Sequence, residues 1–338
     1  MTSTAGAKPP VIDDVARLAG VSVPTVSRVL TGAARVSDDK RERVLAAIQD
    51  LNFRPSAAAR ALVSRQPRII AVLAGDTSHY GYAETIRGIE ESARTGGYLV
   101  TISVVESESD DSVDSTIALV LDQPLAGVIV LKFDPAGVAA LHKIPLDIPT
   151  VSISGVRETG VPQAVLNESA AAQELTEYLL SLGHQTVHHV RVPPSRKEDG
   201  RTTGWRRALR NAGAPIPETI DASWEPESGR EIGQQLADID GVTAVFCGND
   251  EIAMGVIRGL ADRGKSVPGD ISVVGFDDHP LSALWNPPLT TVKQDFAGLG
   301  ARAYDLLQAL LSGQKVRKFS SERPEVVIRE SAAPPRTE

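Results

Sequence analysis

The stretch GVSVPTVSRVL, which runs from Gly20 to Leu30, decides how the start of this chain folds. Gly20 can adopt a positive φ angle and so end a preceding helix in a tight turn. Ser22 is a natural N-cap for a new helix, and Pro24 fits its first turn, where a missing N–H costs little. Arg28 is the single charge in the stretch. The pattern therefore predicts a turn followed by a short helix.

Helices are also predicted on both sides of this stretch. The segment VIDDVARLA at 11–19 places apolar residues at helical spacing on one face, namely Ile12, Val15, Ala16 and Ala19. Its start is less well capped, because Val11 stands where Ser or Thr would be expected. A third helix begins at the N-cap Ser37, and its apolar residues recur at helical spacing until NFRP ends it: Val44, Leu45, Ile48 and Leu51.

The first two helices, separated by AGVS, match a helix-turn-helix, a unit whose second helix enters the major groove of DNA. Small residues at the helix crossing let the helices pack closely: Ala16, Ala19, Val26 and Val29. Outward positions of the second helix would then meet base edges or phosphates: Val23, Pro24, Ser27 and Arg28. The alternative is a basic three-helix unit that only docks to the rest of the chain.

Charge is distributed unevenly along the chain, whose formal net charge is −8. Residues 1–68 hold 11 Lys and Arg against 6 Asp and Glu, whereas the remainder holds 24 against 37. A basic head of net charge +5 therefore precedes an acidic body of net charge −13. This asymmetry indicates that the head meets a polyanion and the body does not.

Length and composition indicate an ordinary globular protein. The 338 residues are enough for two or three compact units, with 42% apolar and 23% charged residues. Nothing reaches the ~18 continuous apolar residues of a membrane span, and the polar start MTSTAGAKPP lacks the apolar core of a secretory signal. We therefore expect a cytoplasmic protein with no membrane partner. The single cysteine, Cys247, excludes an intrachain disulfide and is expected to be a small core residue.

From Arg68 onward the pattern changes to alternating strands and helices. Apolar runs such as RIIAVLAG, AGVIVLK and TAVFCGN are separated by helical segments such as YAETIRGIEESARTGG. Buried, non-alternating strands divided by helices predict parallel sheets that are covered on both faces. The body is too long for one small sheet, so we expect two α/β lobes. Polar loops at strand ends, GND at 248–250 and FDD at 276–278, are where such sheets bind ligands.

Between head and body lies SAAARALVSRQP, from Ser56 to Pro67. The segment is rich in alanine, short and basic, and it has almost no apolar face. Helices below ~12–15 residues rarely hold in water. The segment is therefore either a plain linker or a helix that forms only when docked.

Catalytic and metal-binding patterns are weak. GLADRGKS at 259–266 matches the phosphate-binding loop G-x-x-x-x-G-K-S, but it ends a helix instead of following a strand, which argues against nucleotide binding. His184, His188 and His189 have no Cys or carboxylate at ligand spacing, so we expect them at the surface or on a strand. No nucleophile elbow or zinc-protease pattern appears in the sequence. We therefore expect neither enzyme activity nor a cofactor.

Two long stretches, IDDVARLAGVSVPTVSRVLTG at 12–32 and VSDDKRERVLAAIQDLNFRPSAAARAL at 36–62, resemble the N-terminal signature of the lactose-repressor (LacI/GalR) family. The body resembles that family too, in GHQTV, GND, VPGDISVVGFDD and PPLTTVKQD. The resemblance covers almost the whole chain. It implies a small all-α helix-turn-helix head and an α/β two-lobed core like that of periplasmic binding proteins.

Domain boundaries follow from this resemblance. The head spans 1–55, a hinge helix or linker spans 56–67, one lobe combines 68–165 with 295–323, the other combines 166–294 with 324–331, and 332–338 form a flexible tail. The C-terminus RESAAPPRTE has two consecutive prolines and no leucine heptad, so it cannot form a tetramerising coiled coil. A homodimer is therefore expected.

The resemblance also implies the DNA contacts. In the head and the hinge these are Ser22, Val23, Pro24, Thr25, Ser27, Arg28, Arg35, Ser56, Ala59 and Leu62. Leu62 would be the wedge that enters the minor groove and bends the duplex. The sequence departs from the family where Val11 replaces the usual Thr and Ser56 the usual Asn, and both changes affect local capping.

A sugar-like ligand needs planar bidentate partners for its hydroxyls and an aromatic face for its C–H side. Candidates at strand ends are Arg201, Trp224, Asn249 and Asp277, and the resemblance matches them to the family's effector contacts together with Tyr82 and Gln294. The alternative is a structural role, as a loop cap for Asp277 or in the core for Trp224. Ser154 stands where the lactose-binding member has an acidic residue, so that member's particular sugar is not carried over.

These observations predict a ligand-responsive transcriptional regulator, most simply a repressor of sugar-utilisation genes. It would bind a palindromic operator as a homodimer in the nucleoid and be released by a small sugar. A solute-binding protein would need an export signal, and a kinase or hydrolase would need a catalytic constellation. Within the family, a nucleobase or phosphorylated metabolite as corepressor, or a protein coregulator, stays open.

Overall fold

The computed structural model describes residues 10–30, 36–53, 67–155, 157, 160–193 and 199–336. The chain divides into two compact units, Met1–Arg68 and Ile69–Glu338, which we call the head and the body. Within the described ranges, no helix is both long enough and apolar enough to cross a membrane.

The described part of the head contains three helices, α1 (Ile12–Ala19), α2 (Val23–Leu30) and α3 (Asp38–Asp50). Gly20 adopts a φ of 63° after α1, and Val21 donates to the Ala16 carbonyl over 3.0 Å, so the predicted turn is confirmed. The Asp14 carboxylate accepts from the Val11 N–H over 3.0 Å, which closes the start of α1 although Val11 has no side-chain oxygen. The helices bury one small apolar cluster, made of Val15, Ala16, Ala19, Val26, Val29, Val44, Ala47 and Phe53.

The body alternates strands and helices. In chain order it begins with β1 (Ile69–Ala74), α4 (Tyr80–Thr95), β2 (Leu99–Val104), α5 (Asp110–Leu121), β3 (Leu125–Leu131), α6 (Pro135–Lys143), β4 (Thr150–Ser154) and β5 (Gln163–Leu166). It continues with α7 (Glu168–Ser181), β6 (His188–Arg191), α8 (Gly200–Ala212), β7 (Ile220–Asp221), α9 (Pro226–Ala237), β8 (Ala244–Cys247), α10 (Asp250–Asp262) and β9 (Ser272–Val274). It ends with β10 (Thr291–Lys293), α11 (Phe296–Leu311), β11 (Phe319–Glu322) and β12 (Glu325–Val327).

Two parallel sheets organise these elements. The larger sheet has the strand order β11–β5–β4–β3–β1–β2, and the smaller has the order β7–β6–β8–β9. Strands β10 and β12 form an antiparallel pair beside the smaller sheet, where Val274 bridges to Thr290. The chain crosses from one lobe to the other at three points of the described structure, namely after β5, after β10 and between β11 and β12. This is the two-lobed α/β fold that the sequence predicted.

Both faces of each sheet are covered, which explains the continuous apolar runs of the strands. Helices α4 and α11 cover one face of the larger sheet, and α5 and α6 cover the other. Helices α9 and α10 lie on one face of the smaller sheet, and α7 and α8 on the other. Strands buried on two faces are apolar at every position instead of alternating. Edge strands are less buried, and β2 leaves Leu99, Ile102 and Val104 exposed.

Five strands have no counterpart among the apolar runs of the sequence, namely β5, β7, β10, β11 and β12. Each has only two to four residues, and β11 reads FSSE. They form because a neighbouring segment supplies backbone partners, as where the Gln163 N–H donates to the Lys318 carbonyl over 3.0 Å. Partners that are distant in the sequence leave no local pattern to read.

The C-terminal tail differs from the expected flexible segment. The Ala333 N–H donates to the Ser272 hydroxyl over 3.0 Å, and its carbonyl accepts from that hydroxyl over 2.9 Å. His184 Nε2 lies 3.0 Å from the same carbonyl, and Arg336 pairs with Asp270 at 2.8 Å. Residues 332–336 are therefore bonded to the lobe of the smaller sheet, which corrects the expectation for this part, and 337–338 lie outside the described residues.

Asp250, the first residue of α10, is a buried carboxylate that ties three segments together. Its Oδ2 accepts from the His279 N–H and from the Ser282 hydroxyl, each over 2.7 Å. Its Oδ1 accepts from the Thr291 hydroxyl. Burial raises the pKa of Asp250 to about 7, although these hydrogen bonds act in the opposite direction. The group that joins α10 to the loop after β9 and to β10 therefore titrates near neutral pH.

We expect Asp250 to make the stability of the body depend on pH. Its pKa is about 7 in the folded state and ~4 in the unfolded state. The folded form binds the proton more tightly, so Asp250 contributes stability at low pH that is lost as the pH rises through 7, on the order of a few kcal/mol. Chemical denaturation of the wild type and of Asp250→Asn should show the wild type losing stability relative to the variant as the pH rises. A difference that does not change with pH would contradict this account.

Candidate functional site

A cleft of about 700 Å³, including its opening to solvent, lies between the two sheets of the body. Its wall includes residues that follow the carboxyl ends of strands in both sheets, such as Phe133 after β3, Val192 after β6 and Asn249 after β8. This edge is where parallel α/β sheets bind ligands. Five of the six residues that the sequence predicts as effector contacts line the cleft: Tyr82, Arg201, Trp224, Asn249 and Asp277.

Arg201, in the first turn of α8, holds two carboxylates together on the wall of the cleft. Its Nη2 donates to Glu168 Oε1 over 2.9 Å and to Asp277 Oδ1 over 3.2 Å, and its Nε donates to the same Glu168 oxygen over 3.2 Å. Its Nη1 donates to the Gly248 carbonyl. The guanidinium carbon lies 4.5 Å from the centre of the Phe276 ring. Hydrogen bonds at the edge and a ring below fix the guanidinium plane, as bidentate recognition requires.

Gln294 supports this cluster from behind. Its Nε2 donates to Asp277 Oδ1 over 2.8 Å, but the residue lines a neighbouring cavity instead of the cleft. Asp277 itself has a φ of 107°, and its N–H donates to the Val292 carbonyl over 2.8 Å. A backbone conformation with such a positive φ costs a non-glycine residue about 1–3 kcal/mol. It persists at Asp277 because the surrounding contacts impose it. In this structure Gln294 therefore orients Asp277 and does not itself reach the cleft.

The Arg201 cluster carries more negative than positive charge. Burial raises the pKa of Glu168 and of Asp277 above their ordinary values, although the charge of Arg201 acts against that rise. Burial alone would lower the pKa of Arg201, but Asp277 and Glu168 raise it overall. Arg201 therefore stays protonated, and two carboxylates share its single charge.

An aromatic cluster forms a second part of the wall. The Trp224 ring stacks on His79 with centroids 5.3 Å apart, and it meets the Tyr82 ring edge-on at 6.4 Å. Tyr82 is buried, donates to the Asp134 carboxylate and packs edge-to-face on Phe133 at 5.1 Å. Burial raises the pKa of Tyr82, so its hydroxyl stays a neutral donor. Rings in this arrangement offer an apolar surface to the C–H side of a ligand.

Asn249 serves the fold as well as the cleft. Its Oδ1 accepts from the Ile252 N–H over 2.8 Å and so caps α10. Its Nδ2 lies 3.3 Å from Glu251 Oε2. Since the oxygen is used as the helix cap, a ligand contact by Asn249 would come from its amide nitrogen.

Several charged residues of the wall were missed from the sequence: Lys132, Glu168, Asp199 and Glu251. Glu168 follows β5, a strand of four residues with no run long enough to mark it. Asp199 caps α8 by accepting from the Thr202 N–H over 2.6 Å, and such caps are common on surfaces without any ligand. Ser154 is buried in β4 and does not line the cleft.

Six of the residues that the sequence predicts to meet DNA lie on α2 and the turn before it. Ser22, Pro24 and Arg28 are exposed. Thr25 and Ser27 are half-buried. Val23 is half-buried as well and packs on the apolar cluster of the head, and its contact with DNA stays a prediction. Such a short helix has few residues with which to cover its own apolar face. The other predicted contacts, Arg35, Ser56, Ala59 and Leu62, lie outside the described residues.

Two potentially reactive side chains outside the cleft, Cys247 and His189, are buried. Cys247 in β8 is buried, and burial raises its pKa, so the reactive thiolate is disfavoured. His189 lies on β6 between the Phe246 carbonyl at 3.0 Å and the Thr202 hydroxyl at 3.2 Å, and burial lowers its pKa to about 4. In the part of the chain that the structure describes, no group of three or more His, Cys, Asp or Glu is placed to hold a metal ion.

Comparison with known proteins matches both units of the chain. The family described as bacterial regulatory proteins, lacI family, matches residues 11–56, and a periplasmic binding protein-like domain matches residues 176–332. The lactose operon repressor of Escherichia coli (strain K12) is 32% identical over 336 residues, which cover 98% of this chain and 93% of the repressor. Catabolite control protein A of Priestia megaterium is 33% identical over 316 residues, covering 90% of this chain and 93% of that protein.

The solved structures agree with these relatives. The crystal structure of the Lac repressor dimer bound to operator and the anti-inducer ONPF matches with a TM-score of 0.89 at 30% identity, covering 96% of this chain and 100% of that one. The similarity thus extends over nearly the full length of both proteins, in sequence and in fold. The chain belongs to the lacI family of bacterial regulatory proteins.

Proposed function

We propose that this chain is a repressor that binds a palindromic operator through its head and is released when a small sugar binds in the cleft of its body. The observation that carries the proposal is the cleft itself, where the guanidinium–carboxylate pair of Arg201 and Asp277 and the ring of Trp224 line one cavity. Fixed polar groups bind vicinal hydroxyls, and an aromatic face takes the C–H side of a sugar ring.

The head supports the DNA-binding part of the proposal. Ser22 and Arg28 are exposed on α2 and its preceding turn. Hydroxyl and guanidinium groups are the side chains that contact phosphates and guanine edges. The net charge of +5 over residues 1–68 adds attraction to the phosphate backbone. Arg35, Ser56, Ala59 and Leu62 complete the proposed contact set.

The way the chain passes between the sheets supports a ligand response. Leu166 and Glu168 flank the first passage and line the cleft, and Gln294 at the second passage holds Asp277. A ligand that bonds to Arg201 beside the smaller sheet and touches Tyr82 beside the larger one favours one arrangement of the two lobes. Ligands shift an equilibrium only through such a preference, and the shift is what couples two sites.

An exposed sheet edge supports a homodimer. Strand β2 exposes Leu99, Ile102 and Val104, and Leu119 of α5 is exposed as well. Exposed apolar groups on an unpaired edge strand are typical of protein interfaces. A two-fold symmetric dimer presents two heads to the two halves of a palindrome.

The same proposal sets the place and nature of the activity. A repressor acts where the chromosome is, which in a bacterium is the cytoplasm. Its family consists of regulatory proteins, so we assign the cleft to ligand binding and not to catalysis.

Operator binding tests the proposed function. A fluorescent operator duplex, obtained by selection from random duplexes, is bound by the protein and titrated with mono- and disaccharides, nucleobases and sugar phosphates. Release by a sugar supports the proposal. Tighter binding in the presence of a nucleobase or sugar phosphate would replace induction with corepression, and a response only to a protein partner would remove the small ligand from the account.

Arg28→Ala should weaken operator binding by about 1–3 kcal/mol, because a guanidinium that reads a base pair contributes that much discrimination. Fluorescence anisotropy on operator and on scrambled duplexes measures the effect, and the log–log salt slope should be several units. Arg94→Ala, at an exposed arginine of the body, is the matched control. Equal losses on operator and scrambled DNA would mean that Arg28 contacts phosphate only.

Arg201→Ala and Asp277→Ala should each abolish the effector response and leave operator binding nearly intact. Removing one partner of a buried charged hydrogen bond should lower ligand affinity by about 2 kcal/mol or more. The ligand concentration that half-releases the operator measures this, with Arg210→Ala on the exposed side of α8 as the control. Two variants that respond at the wild-type concentration would place the effector site elsewhere.

A further inference from the structure

The cleft is lined by more carboxylates than cationic groups. Its acidic side chains are Glu168, Asp199, Glu251 and Asp277, and its cationic side chains are Lys132 and Arg201. With all six ionised the wall carries a net charge of −2. Negative charges in a partly buried site repel an anionic ligand more strongly than they would in water, because the surroundings screen the charges less.

The carboxylate of Glu168 fits closely against the backbone around it. It is buried at the first residue of α7, and its Oε1 accepts from Arg201. Its Oε2 lies where two glycines leave room, since an added Cβ on Gly155 would stand 2.5 Å from that oxygen and one on Gly200 would stand 3.2 Å from it. The slot therefore fits a carboxylate that is directed at Arg201.

The guanidinium of Arg201 is already shared between protein carboxylates. Its Nε and Nη2 donate to Glu168, and Nη2 also donates to Asp277. A phosphate or carboxylate on a ligand would have to compete with both for one positive charge. A hydroxyl can instead donate to the carboxylates, and an ammonium group adds the positive charge that they lack.

Three carboxyl groups of the wall have raised pKa values. Burial raises the pKa of Glu251, as it does for Glu168 and Asp277, and the charge of Asp277 contributes to the rise for both glutamates. Carboxylates hold protons more tightly where their negative charge is poorly compensated.

We propose that the cleft selects uncharged or amine-bearing ligands and rejects anionic ones, and that Glu168 sets this selection. The inference rests on the ligand-binding function proposed above and narrows its ligand class. Neutral sugars and amino sugars fit the wall, whereas sugar phosphates and sugar acids do not. Glu168 acts as a built-in competitor that occupies the guanidinium an anionic ligand would need.

A cysteine placed in the cleft can report its charge without any knowledge of the effector. Val192 lines the wall and is 7% exposed, so Val192→Cys introduces a thiol of similar size there. The natural Cys247 is buried and contributes little background. Two methanethiosulfonate reagents of similar size, one trimethylammonium and one sulfonate, are reacted with this variant. Leu146→Cys, at a fully exposed turn residue, supplies the reference ratio of the two rates.

Relative to the Leu146→Cys reference, the cationic reagent should react with Val192→Cys about tenfold faster or more than the anionic one. Adding Glu168→Gln, which keeps the shape but removes the charge, should reduce that preference about threefold or more. A cleft ratio equal to the reference would overturn the selection. A ratio that Glu168→Gln leaves unchanged, while Glu251→Gln lowers it, would overturn the role of Glu168.

A ligand series gives the second arm of the test. Glucose, glucosamine and glucose 6-phosphate are compared for operator release by the wild type. Release by the phosphate while glucose is inactive would overturn the selection. The thiol measurement requires neither DNA nor effector, so a protein that no sugar releases would contradict the proposed function while the rate ratio still decides the present inference.

Discussion

The hydrogen bonds from Arg201 to Glu168 and Asp277 are the interaction on which the cleft depends. They join the start of α7, the first turn of α8 and the loop after β9, which the sequence separates widely. Removing one member of such a buried charged group leaves the others unpaired, at a cost of about 3–5 kcal/mol. The positive φ of Asp277 persists for the same reason, since Arg201 and Gln294 both donate to its Oδ1.

This constraint fixes one wall of the cleft that lies between the two sheets of the body. The groups fixed around Arg201 belong to the lobe of the smaller sheet, whereas Tyr82 and Phe133 belong to the lobe of the larger sheet. The ring of Trp224 in the lobe of the smaller sheet stacks on the ring of His79 in the lobe of the larger sheet. A ligand that inserts between them adds polar contacts on one side and apolar contacts on the other. In the function proposed above, the affinity of this ligand is highest for one spacing of the lobes, and that preference causes the response to ligand.

The fold could be predicted from the sequence where the cause is local, and the site where a residue matches a family pattern or follows a clear strand. The turn at Gly20 and the apolar run of β3 each fold as their own residues dictate. Arg201 and Asp277 were found because they match a family pattern and, for Asp277, because a clear strand precedes it. Glu168 follows a strand of four residues whose partners lie far along the chain, so nothing local marked it. The indirect position of Gln294 is a tertiary fact, because its amide meets Asp277 only in the folded body.

In the proposed function, the cleft and the DNA-binding head are coupled through the lobes of the body. Thermodynamic linkage tests this most directly, because an effector that weakens operator binding by some factor must itself bind more weakly to the operator complex by the same factor. Calorimetric titration of the releasing sugar into the protein, alone and saturated with operator duplex, measures the change in sugar affinity, and operator binding with and without the sugar measures the change in operator affinity. We expect the operator to weaken sugar binding, and Asp277→Ala to abolish this coupling. An effector affinity that operator leaves unchanged would contradict it.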